Sequence, residues 1–182
     1  MHRLFLSIIS FMFLFCSAQN IHAEHVYITE SEEYTDGFPT DWRNYSVDIL
    51  LEEKDIEAEF CINLPSKPKR VEDNYCTIEC ISSLNMYKMT CMSRKSMPET
   101  YEEFIEFFGA SFEGTFLTVQ IPSDNTLVDY QVSLYQDPKT SIEGIFSGGL
   151  ITVSEKSVYI LFSISDSQEV IDNFFDSFIV KK

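Results

Sequence analysis

The sequence predicts an α+β domain, an antiparallel sheet of about six to eight strands with two amphipathic helices packed against it. Three observations lead there. Short runs rich in β-branched and aromatic residues recur between turn signals. Two stretches switch to the 3.6-residue period, each behind a capping-box spacing. The strand-like runs mostly follow one another along the chain, which favours antiparallel pairing over helical crossovers.

The domain is expected to begin near Trp42. Asn44 to Leu51 (NYSVDILL) reads as a strand, and Glu52 to Asp55 as a turn. Ile56 to Leu64 alternates imperfectly and includes Phe60 and Ile62, so it reads as a strand, and Pro65-Ser66-Lys67-Pro68 ends it because proline cannot donate to a ladder. Tyr75 to Ile81 and Met86 to Ser93 form a hairpin around Ser82 to Asn85. Then the period changes. Ser96 and Glu99 have capping-box spacing around Pro98. Tyr101, Phe104, Ile105, Phe108 and Phe112 follow on one face, with Glu99, Glu102, Glu103 and Glu106 on the other. The aromatic stripe reads as packing on a sheet rather than as a ligand wall.

Four further strand-like runs follow: Thr115 to Ile121, Leu127 to Tyr135, Ser141 to Ser154 and Ser157 to Ser163. Gly144, Gly148 and Gly149 mark a bulge or break in the third. They are not a phosphate cradle, because no helix start follows them. The second helix opens with capping-box spacing from Ser165 to Gln168. Val170, Ile171, Phe174 and Phe175 lie on one face and Asp172, Asn173 and Asp176 on the other. Ser177 to Val180 closes as a short strand or tail.

Met1 to Ala23 reads as a secretory signal peptide. Arg3 supplies a positive start, Leu4 to Phe15 is apolar apart from Ser7 and Ser10, and small-residue cut sites end at Ala18 and Ala23. The apolar run is shorter than the ~20 residues a spanning helix needs. Cys16 follows bulky Phe15, a poor context for lipidation, and is expected to leave with the signal. The mature chain is therefore expected in the periplasm or outside the cell, with no stable membrane insertion after cleavage.

The chain carries 13 basic and 29 acidic residues, a net charge of −16. That balance disfavours nucleic acid and anionic membrane surfaces as partners. The one basic cluster, Lys67, Lys69 and Arg70, reads as a solvated loop. Residues Glu24 to Asp41 are dense in acid and read as a flexible extension before the domain. A calcium site there would need a loop-type ligand spacing, and none is present.

All three histidines, His2, His22 and His25, precede the expected domain, so neither a Ser-His-Asp unit nor histidine-ligated zinc is expected inside it. No phosphate or dinucleotide motif occurs. Carboxylate pairs are abundant, as in any acidic chain, and read as solvated surface. No catalytic residue, cofactor or metal is expected. The remaining chemistry is in Cys61, Cys76, Cys80 and Cys91, an even set without paired C-x-x-C knuckles, which favours disulfides over zinc. Cys76 and Cys80 stand ~13 Å apart on one strand and should not pair with each other. That leaves Cys61–Cys76 with Cys80–Cys91, or Cys61–Cys80 with Cys76–Cys91. A hairpin turning at Ser82 to Asn85 sets Ile81 against Met86, Ile78 against Met89 and Cys76 against Cys91, which favours the second scheme.

Two passages carry a resemblance. Phe60-Cys61-Ile62-Asn63-Leu64-Pro65-Ser66-Lys67-Pro68 is a strand running into a Leu-Pro-x-Lys-Pro loop. Val158 to Ile164 is followed by a capped helix and Phe174-Phe175-Asp176-Ser177-Phe178. From Asn44 to Lys182 the chain resembles small exported bacterial proteins of the superfamily that includes the photosystem subunit PsbP and a nuclear Ran-binding protein. The resemblance implies a central antiparallel sheet with helices against it, and a binding or assembly accessory rather than an enzyme. It brings no site residue, and the four cysteines depart from its pattern. The expected function is an exported non-catalytic accessory of the cell envelope or periplasm, with an envelope or extracellular protein as partner. A secreted effector or inhibitor, or a carboxylate-based hydrolase, is the alternative.

Overall fold

The computed structural model describes residues 24–31, 38–39, 41–73, 75–82, 85–97, 103, 130–135 and 143–181. The signal-like segment 1–23, the strand expected over 115–121, and the first expected helix, apart from Glu103 in its run, lie outside them.

The described chain is mostly β, and this overturns the expected arrangement of one sheet carrying two helices. It forms two antiparallel sheets. Strands β1 (Glu24–Glu30), β2 (Arg43–Leu51), β3 (Ile56–Leu64) and β10 (Ile179–Val180) form the first, in the order β1-β2-β3-β10. The second runs β4-β5-β6-β9-β8-β7, from β4 (Lys69–Glu72), β5 (Cys76–Ser82), β6 (Asn85–Ser93), β7 (Tyr130–Tyr135), β8 (Phe146–Val153) and β9 (Ser157–Ser165). A single α-helix stands among the described elements, α1 (Gln168–Asp176). None of the described helices is long and apolar enough to cross a membrane.

The two-sheet form follows from alternation. In β3 the buried apolar positions are Ile56, Ala58, Phe60, Ile62 and Leu64, with Glu57, Glu59 and Cys61 turned away. In β2 they are Tyr45, Val47, Ile49 and Leu51. The ladder places Val47 beside Phe60 and Ile49 beside Ala58, so one face of the first sheet is continuously apolar. It meets Cys76, Ile78 and Cys80 of β5, Tyr87, Met89 and Cys91 of β6, and Tyr159 and Leu161 of β9 in one core. Phe60 meets Tyr159 edge-on at 5.7 Å across the gap. In β8 and β9 the outward residues Ile151, Val153 and Val158 are buried as well, which accounts for the near-continuous apolar runs of these strands.

Two segments expected to be loops are strands. The acidic stretch from Glu24 pairs along most of β2, from Glu24 against Leu51 to Glu30 against Tyr45. Val26 and Ile28 pack on the core, and this outweighs the solvation of the flanking glutamates. The basic cluster is split, with Lys69 and Arg70 in β4, a short edge strand against β5. Charge on an edge discourages pairing with another chain, which is what such strands need.

Helix α1 closes the sandwich. Ile171 and Phe174 are fully buried, and Phe174 lies 5.2 Å from the Tyr87 ring. Its N-cap is Ser167, two residues later than the capping box suggests. Ser165 instead accepts the Ser167 N–H at 3.1 Å. After the helix, buried Ser177 donates to Phe174 O at 2.8 Å and accepts the Asn63 N–H at 3.1 Å. That bridge guides the chain into β10, where Lys181 N–H bonds Glu59 O.

Candidate functional site

One end of the sandwich is held by side chains that reach from sheet to sheet. The turn from β2 into β3 is a short 3₁₀ segment, Glu52–Lys54, ended by Asp55 in the left-handed region at φ 53°. Aspartate tolerates that conformation better than most residues. The turn leaves the Asp55 carboxylate pointing at the end of β6, where Ser93 Oγ donates to it at 3.0 Å and Lys95 Nζ lies at 2.9 Å. Next to it, Lys156 in the β8–β9 turn pairs with Glu57 at 2.6 Å, and Ser157 Oγ donates to Glu57 O at 2.7 Å. Lys54 Nζ reaches the carbonyls of Asp73 and Tyr75.

Between these clamps lies an open groove of about 470 Å³. Leu50 and Ile56 give it apolar patches. Glu52, Asp55, Glu57, Glu155, Arg94, Lys95 and Lys156 supply charge of both signs. In a chain of net charge −16 this concentration of cations is unusual. Lys95 is 82 % exposed and Lys156 64 %, so solvent screens their ion pairs, which contribute little to stability. Pairs that weak exchange readily for those of a visiting surface.

The hydrogen bond from Lys95, and after it that from Ser93, holds the Asp55 carboxyl below its ordinary pKa. A depressed acid contributes stability above its unfolded-state pKa and loses it as pH falls through the folded value. Solvent exposure makes the contribution salt-sensitive. An NMR pH titration should therefore place the Asp55 midpoint below that of an unperturbed aspartate. Lys95→Met should raise it, and an unmoved midpoint would mean that Lys95 is not the cause.

Among the described residues Cys61, Cys76, Cys80 and Cys91 carry no disulfide. Cys76 and Cys91 stand opposite each other in the β5–β6 ladder, in the register expected, with Ile78 on Met89 and Ile81 on Met86. Both are buried, and burial raises both pKa values, so neither is an activated nucleophile. The expected Cys61–Cys80 bridge is overturned. Cys61 sits between core residues Phe60 and Ile62 and so points away from the core, opposite Ser46 and Ile179, whereas Cys80 points into it. Bringing them together would need a one-residue slip of β3. The Cys80 thiol instead lies 3.2 Å from Ser66 Oγ and donates to Ser66 O.

His25 belongs to the first sheet rather than to a segment before it. It pairs with Asp48 at 3.3 Å and stacks on Tyr27 at 4.6 Å. Sequence reasoning singled out none of the groove residues. Asp55 and Ser93 are 38 positions apart, and Glu57 and Ser157 are 100. No spacing motif joins such residues; the left-handed turn at Asp55 was the only local signal. No family model matches the chain, and no curated protein matches it.

Proposed function

We propose that the protein is an exported, non-catalytic binding or assembly accessory of the cell envelope, and that it meets its protein partner at the groove between the two sheets. One observation supports this above the rest: exposed lysines of weak, exchangeable ion pairs line an open groove on rigid strand ends. A partner carrying both signs of charge suits it better than a nucleic acid or a free anion, because the four groove carboxylates repel phosphates. The hydrolase reading finds no support at Asp55, whose depressed pKa is the opposite of what a general acid needs.

The test is affinity capture from the protein's own envelope fraction, run in parallel with wild type and with a Lys95→Glu/Lys156→Glu variant. A protein held by wild type and lost from the variant is the expected result. Equal capture by both, or none by either, removes the groove reading. Release of the protein into the medium, rather than retention in the envelope, would favour the secreted effector or inhibitor.

A further inference from the structure

Cys76 and Cys91 are directly opposed on neighbouring antiparallel strands. They are 0 % and 1 % exposed, and both side chains belong to the same core cluster. Facing residues of an antiparallel pair have Cα atoms ~4.5–5.5 Å apart, inside the ~4.4–6.8 Å range that a disulfide spans. Burial first, and the neighbouring Cys76 second, keep Cys91 protonated until an exchange partner reaches it. Among the described residues neither remaining cysteine competes: Cys80 faces Tyr87 across the ladder, and Cys61 lies on the far side of the other sheet.

We propose that Cys76 and Cys91 are a redox pair which closes into a single cross-strand disulfide, leaving Cys61 and Cys80 as thiols. The two S–H bonds break and one S–S bond forms. Two electrons and two protons pass to the disulfide of an exchange partner, such as oxidised glutathione or a dithiol oxidoreductase, which leaves as two thiols. Because folding seals both sulfurs from solvent, exchange takes place before the sheets close or during transient opening. Once made, the bridge resists reductant as long as the core stays shut. It ties the β5–β6 hairpin at the end away from its turn, so it fixes the register on which both sheets' packing depends.

The full chain refolded in a glutathione couple tests this whichever compartment it occupies, so the result is independent of the export reading. Cleavage after Glu79 and after Lys88 places Cys76, Cys80 and Cys91 on separate peptides. The expected outcome is one linked pair containing Cys76 and Cys91, two hydrogens lighter than the separate peptides. Cys61 and Cys80 should be alkylated in denaturant, and Cys76 and Cys91 should not. Reductant should open the bridge far more slowly in the native protein than in denaturant. Alkylation of Cys76 and Cys91, or a linked peptide joining either of them to Cys16, Cys61 or Cys80, would overturn it.

Discussion

Replacing Phe174 with alanine should lower the free energy of unfolding by about 3–5 kcal/mol, the scale for emptying a fully buried phenylalanine site. Phe174 has no exposed surface and stacks obliquely on Tyr87 at 5.2 Å and on Phe175 at 5.3 Å. It is the point at which the helix enters the core shared by both sheets. The strands around it are tied into ladders on both sides, so they have little freedom to collapse into the space, and a site that cannot collapse lies at the costly end of the range. Glu169→Ala, on the exposed face of the same helix, should change stability by less than about 0.5 kcal/mol. Urea denaturation of both variants separates the two. Equal losses would mean that the helix does not present this face to the core.

The second large effect is expected at Gly148. Its β8 backbone passes directly beneath the helix. A Cβ there would lie 3.0 Å from Phe175 Cε2 and 3.1 Å from Ile171 Cγ2. Close approach, rather than backbone conformation, makes glycine necessary here. Gly148→Val forces two further methyl groups into that contact and should cost about 3 kcal/mol, the upper part of the overpacking range. Gly148→Ala needs only a shift of a few tenths of an ångström and should cost about 1 kcal/mol. Phe175→Leu, which makes room, should recover part of the Gly148→Val loss. A strictly additive double mutant would show that the two positions do not touch.

Gly148 also shows what a sequence conveys. Its place in a glycine-marked strand was legible; the helix above it was not, because that contact joins separate parts of the chain. Local features were read well. Strand β3 has the expected bounds, and the β5–β6 register follows from the turn and the alternation alone. The alternation of a strand does not say what its inward residues, such as Phe60 and Ile62, will face, so the division into two sheets was hidden. Composition misled at β1 and β4, where charge at exposed positions masks Val26, Ile28 and a ladder of backbone bonds. The groove was invisible for a different reason: Asp55, Glu57, Lys95 and Lys156 are ordinary surface residues until the folded chain brings them together.

The bridge from Asn63 to Ser177 joins positions 114 apart, and Lys181 reaches Ser46 across 135. During synthesis, therefore, β3 is made long before the strand that completes its sheet. A growing chain carries that ladder edge unpaired, along with a core that lacks Phe174, until residues 174–180 have been made. Closing such distant contacts costs chain entropy before any burial repays it, which places this topology among the slower folders. The protein cannot finish folding piece by piece behind the ribosome. Its apolar strands must stay apart, or be held apart, until α1 and β10 have been made.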